Sequence, residues 1–149
     1  MVKAIVVLMG AVLMIGSAAA QQGPSLQIVP EKTDADDTAC GITQPSLVSA
    51  ATLALKTGGV SVVAKSNPYL YLSTTTVQGS GRCSVYLKVS VSEALVKHAP
   101  TGPFKPQKPM SARLCSQEDL LTGPQGTMGD RIHKQLTESI KACLADLRY

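Results

Sequence analysis

The residues with the most definite chemistry are Cys40, Cys83, Cys115 and Cys143, separated by 43, 32 and 28 positions. None belongs to a CxxC pair, and none stands at metal-ligand spacing from a histidine. That pattern speaks against a zinc site and against a thioredoxin-like redox centre. An even number of cysteines behind an export signal points instead to two disulfides. Four cysteines allow three pairings. The expected order of strands and helices favours Cys40–Cys143, between two helices, and Cys83–Cys115, between two antiparallel strands.

The remaining catalytic vocabulary is thin. There are two histidines, His98 and His133, and neither a GxSxG elbow nor an SxxK pair. A hydrolase needs a nucleophile, a base and an orienting group, and no local pattern joins the three. His133, between Ile132 and Lys134, falls on the polar side of a helix. His98 is the better functional candidate. With a carboxylate brought near by folding it would support an alternative reading as a small extracytoplasmic enzyme. Asp34, Asp36 and Asp37 suggest calcium, but a calcium loop needs more ligands, so a solvated run of charge is expected. Gly123, Gly126 and Gly129 precede a helix without the Gly-Lys-Ser/Thr of a phosphate loop, and read as turn glycines. No metal or cofactor is expected.

Charge carries more information. Between Arg82 and Arg113 the cations are Arg82, Lys88, Lys97, Lys105, Lys108 and Arg113, against Glu93 alone. The full chain is only +4. A local excess of this kind can steer an acidic partner protein or an anionic surface. Nucleic acid is not expected, because aromatics are 3% of the chain and no groove-reading motif is present. Within the same stretch, prolines at 100, 103, 106 and 109 recur every third residue. That is the period of a polyproline II helix, which would align them with Phe104, Lys105 and Lys108 alongside. The candidate partner-binding residues are therefore Lys88, Lys97, His98, Phe104, Lys105, Lys108 and Arg113.

These residues need a scaffold. Thr43 caps an expected helix to Thr57, with Pro45 in its first turn and Leu47, Ala50, Ala51, Ala54 and Leu55 on one face. Gly58 and Gly59 end it. Residues 60–65 and 69–78 read as strands, and 83–91 alternates strictly, with Cys83, Val85, Leu87, Val89 and Val91 on one side. That is the pattern of a sheet with one buried and one wet face. A short strand is expected at 110–116, a loop at 117–130, and a final helix from Arg131 to about Leu147, with Ile132, Leu136, Ile140, Cys143 and Leu147 in its buried stripe. The fold expected is α+β: a two-layer sandwich whose antiparallel sheet of three to four strands carries two helices on one face. Tyr69, Tyr71, Tyr86 and Lys88 would lie on the other face.

Lys3, the apolar run from Ala4 to Ile15 and the Ala18-Ala19-Ala20 triplet have the form of a cleaved signal peptide, residues 1–20. Residues 21–39 read as a flexible leader, in which Leu26 and Ile28 alternate with Gln27 as in a short strand, and 40–149 as a single disulfide-stapled domain with a proline-rich loop at 100–109. No transmembrane segment is expected in the mature chain. The helix ending at Gly58-Gly59, the run VSVVAKSNPYLYLSTTTVQGSGRCSVYLKVSV and the closing helix after Gly129-Asp130 together resemble small exported proteobacterial α/β proteins. The resemblance carries no functional residues with it. The reading that follows is a non-enzymatic binding or adaptor module, periplasmic or secreted. A structural component of an envelope assembly is a further alternative.

Overall fold

Alternating residues from Tyr69 onward set up the centre of the molecule. In the computed structural model, which describes residues 23–95 and 110–148, the elements are β1 (Ser25–Pro30), α1 (Ala35–Ala39), α2 (Gln44–Thr57), β2 (Ser61–Val62), β3 (Tyr69–Gly79), β4 (Arg82–Leu95), β5 (Met110–Pro124) and α3 (Gln125–Asp146). The five strands form one mixed sheet in the order β2-β1-β3-β4-β5. β3, β4 and β5 are an antiparallel meander, whereas β1 runs parallel to both β2 and β3. Ser80 and Gly81, with φ of 51° and 71°, form the two-residue turn between β3 and β4. Two successive positive φ values suit the right-handed twist of a hairpin.

The fold is α+β as expected, but the sheet is larger and is not wholly antiparallel. The short strand suggested by Leu26 and Ile28 within the expected leader runs from Ser25 to Pro30 and lies between β2 and β3, with Leu26 fully buried. The Asp cluster is a capping device. Asp34 caps α1: its Oδ1 accepts from the Asp37 amide at 2.8 Å, and Asp37 Oδ2 accepts from the Asp34 amide at 3.1 Å. Asp37 is 2% exposed and its Oδ1 accepts from the Thr76 hydroxyl, which docks α1 on β3. A carboxylate this deep must be hydrogen-bonded to be tolerated.

α2 matches its expected limits, with a reciprocal cap between Thr43 and Ser46. β2 is shorter than the expected strand at 60–65. β5 is much longer than the expected 110–116, so the segment read as a loop is strand to Pro124 and helix from Gln125. Gly129 therefore lies inside α3. A Cβ there would come within 2.8 Å of the Gly41 carbonyl oxygen, so glycine allows the helix to approach the α1–α2 turn. Gln125 Nε2 donates to the Ala39 carbonyl at 2.6 Å across the same junction.

The helices cover one face of the sheet. Leu70, Leu72, Val85, Leu87, Val89 and Val91 point into a core shared with Leu47, Ala51 and Leu55 of α2 and Ile132, Leu136 and Ile140 of α3. The two disulfides lie in this layer, but paired otherwise than expected: Cys40–Cys83 and Cys115–Cys143, with Cα–Cα distances of 6.1 and 5.5 Å. The length of β5 explains the change. In the antiparallel register Cys83 lies opposite Gly123, and Cys115 lies opposite Val91. Cys83 and Cys115 are thus eight rungs, about 26 Å, apart. Likewise Cys40 sits beside the start of α3, near Gly129, whereas Cys143 is about 21 Å further along that helix. Each cysteine finds the partner its register places beneath it.

Candidate binding face

The strands that build the core present their alternate residues on the uncovered side. Reading across β3, β4 and β5, the rungs there are Tyr69–Ser92–Arg113, Tyr71–Ser90–Ser116, Ser73–Lys88–Glu118 and Thr75–Tyr86–Leu120. A bulge at Val91/Ser92 skips Leu114, and this brings Arg113 onto the open face beside Ser92. Bulges commonly re-aim side chains in this way. Below the rung of Tyr86 the face is hydroxyl-bearing and shallowly concave. A cleft of about 650 Å³ runs over it, with Glu31 and Tyr71 on the β1 side and Ser111 and Arg113 on the β5 side. Ser90 and Ser92 form its floor, 3% and 8% exposed.

Two polar clusters flank the cleft. Tyr86 donates its phenol hydrogen to Glu118 Oε2 at 2.5 Å, and Lys88 Nζ lies 3.1 Å from Glu118 Oε1. The Tyr86 bond, then Lys88, holds the Glu118 carboxyl below its ordinary range. The same bond pushes the Tyr86 phenol up. Across the sheet, burial and then the neighbouring Glu31 carboxylate raise the Tyr71 phenol. Neither of the two ion pairs found among the described residues involves Arg113.

Of the residues proposed from sequence, Lys88 and Arg113 both reach this face. Lys97, His98, Phe104, Lys105 and Lys108 lie outside the described residues. The strand ends that flank them, Leu95 and Met110, are paired on the last rung of the β4–β5 ladder. Glu31 and Glu118 were not legible, because one stood in an expected leader and the other in an expected loop. Tyr69, Tyr71, Ser90 and Ser92 were within reach of the alternation in β3 and β4.

Two smaller hollows lie elsewhere. One, of about 500 Å³, separates the end of α1 from the start of α3 and is lined by Thr38, Gly41, Gln125 and Asp130. The other, of about 480 Å³, lies between α2 and α3 beside Leu53 and His133. His133, expected on the surface, is half-buried there, and its Nε2 has no hydrogen-bond partner among the described residues. Among the described residues no group of three His, Cys, Asp or Glu could hold a metal ion, and no helix is long and apolar enough to cross a membrane. No protein-family model and no curated protein matches the chain.

Proposed function

We propose that the protein is an exported, non-enzymatic binding or adaptor module, periplasmic or secreted, that engages an anionic partner through the open face of its sheet. The observation that carries this reading is the asymmetry of the sheet. One face is sealed by helices, while the other holds a hydroxyl-lined cleft with Lys88 and Arg113 at its walls. A sheet face that only had to be wet would not need a floor of buried serines beneath tyrosines. Export is supported by the signal-like pattern of residues 1–20, by the resemblance to small exported proteobacterial proteins and by two disulfides, which persist in oxidising compartments.

Crosslinking in the envelope of the native host, read by mass spectrometry, tests the reading. One reproducible partner is expected, lost when Lys88→Gln is combined with Arg113→Glu and circular dichroism is unchanged. Retention of that partner in the double variant would overturn the open face as the binding surface. If the partner is lost instead on charge reversal at Lys105 and Lys108, the contact belongs to that segment.

A further inference from the structure

We propose that the cleft takes an acidic saccharide, its carboxylate on Arg113 and its hydroxyls on the tyrosine and serine hydroxyls of β3 and β4. This rests on the open face being the binding surface, and it names the class of ligand.

Charge decides the first point. Lys88 is occupied by Glu118 at 3.1 Å. Arg113, exposed at the opposite end of the same wall, has no carboxylate at ion-pair distance among the described residues. A guanidinium presents a planar fork that matches a carboxylate with two parallel hydrogen bonds. One such fork calls for one anionic group. Glu31 stands at the β1 wall, about 14 Å across the sheet from Arg113 and, next to the Pro30–Leu72 rung, about 13 Å further along it, and repels a carboxylate from that end. The cleft therefore orients an acidic ligand with its charge toward β5.

The lining decides the second point. Serine, threonine and tyrosine hydroxyls both donate and accept, as sugar hydroxyls do. An apolar ligand lying over Ser90 and Ser92 would strip them of water and return no hydrogen bonds. Tyr69 and Tyr71, two residues apart on one strand, project from the same face about 7 Å from each other. Their rings combine an apolar body with a polar tip, which suits the C–H face of a pyranose with hydroxyls at its edge. An acidic peptide satisfies Arg113 but offers few hydroxyls to the floor.

Isothermal titration calorimetry on the disulfide-bonded protein tests this with three probes: trigalacturonate left with one free carboxylate by methyl esterification of the other two, the fully esterified and so neutral trisaccharide, and a tetraglutamate peptide. Trigalacturonate is expected to bind, and the neutral trisaccharide at least about tenfold more weakly, the scale of one charge-assisted hydrogen-bonded pair. Arg113→Gln should weaken trigalacturonate by about the same factor, Arg113→Lys by less, and Tyr71→Phe severalfold. Lys134→Gln on α3 should leave it unchanged. Equal affinity for the neutral sugar, or no loss in Arg113→Gln, would overturn the assignment of the carboxylate. Tetraglutamate binding as tightly as trigalacturonate would overturn the saccharide class and leave the open face as a binding surface. If no saccharide binds while the crosslinked partner is still lost in the Lys88/Arg113 variant, this inference falls and the reading beneath it stands.

Discussion

The two faces of the central sheet share their strands and differ in nearly everything else. On β4, Val85, Leu87, Val89 and Val91 are at most 1% exposed beneath the helices, while Ser84, Tyr86, Lys88 and Ser90 between them face the other way. On β3, Leu70 and Leu72 alternate with Tyr69, Tyr71 and Ser73 in the same manner. Backbone and register are common to both faces, so only side-chain chemistry separates a stabilising layer from a recognising one. The covered face holds the apolar core and both disulfides. The open face holds the cleft and its charges. Stability and binding should therefore respond to different substitutions only one residue apart.

Loss of the disulfides is the largest expected effect, and it concerns the covered side alone. The bridges close loops of 43 and 28 positions. The chain-entropy relation gives roughly 4 kcal/mol for each at this length. Cys40→Ser with Cys83→Ser, or Cys115→Ser with Cys143→Ser, should lower the urea midpoint strongly. Mass mapping of the unreduced protein should recover Cys40–Cys83 and Cys115–Cys143. Recovery of Cys83–Cys115 would break the long-strand register of β5.

Adjacent residues sharpen the comparison. Leu72, 1% exposed, packs under the helices, and Ser73 lies in the cleft. Leu72→Ala removes buried methyl groups and leaves a cavity, an effect of about 3 kcal/mol in denaturant unfolding. Ser73→Ala should change stability by less than about 0.5 kcal/mol. A large loss of stability in the second variant would mean that the open face also supports the fold, and the division of labour would fail.

The same division governs what could be read from the amino acids. The β3–β4 hairpin was legible because its alternation is strict and the Gly79-Ser80-Gly81 turn is local. α2 was legible from Thr43, Pro45 and its glycine stop. β5 was not, because Gln117, Asp119 and Gly123 on its covered side look like loop residues. Asp119 is accommodated there because it accepts from Ser139 of α3 at 2.9 Å, a contact made twenty residues away. β1 showed only as a short alternation at Leu26 and Ile28, and its place in the sheet was hidden because its parallel partner strand begins at Tyr69, paired with Gln27. The disulfide pairing followed from the length of β5. The polar face of β3 and β4 could be anticipated, but the position of Arg113 on it follows from a bulge that no local pattern announces.

The smallest effect is a titration confined to the open side. Glu118 is held below its ordinary carboxyl range by the Tyr86 hydroxyl and then by Lys88. Its ionised form thus favours the folded state at neutral pH, and that contribution is lost as pH falls through the lowered value. Tyr86 and Tyr71 are raised above 10.0, so their neutral forms favour the folded state and that contribution fades as alkali is added beyond it. Glu118 and Tyr86 are exposed and Tyr71 is half-buried, so the effect on global stability should be slight. The site-specific readout is sharper. In an NMR pH titration the Glu118 carboxyl should turn over below the ordinary carboxyl range, and Tyr86→Phe should move it back toward that range. If it does not move, Lys88 alone holds the carboxylate, and Tyr86 is left free to join the ligand rather than to brace the wall beside it.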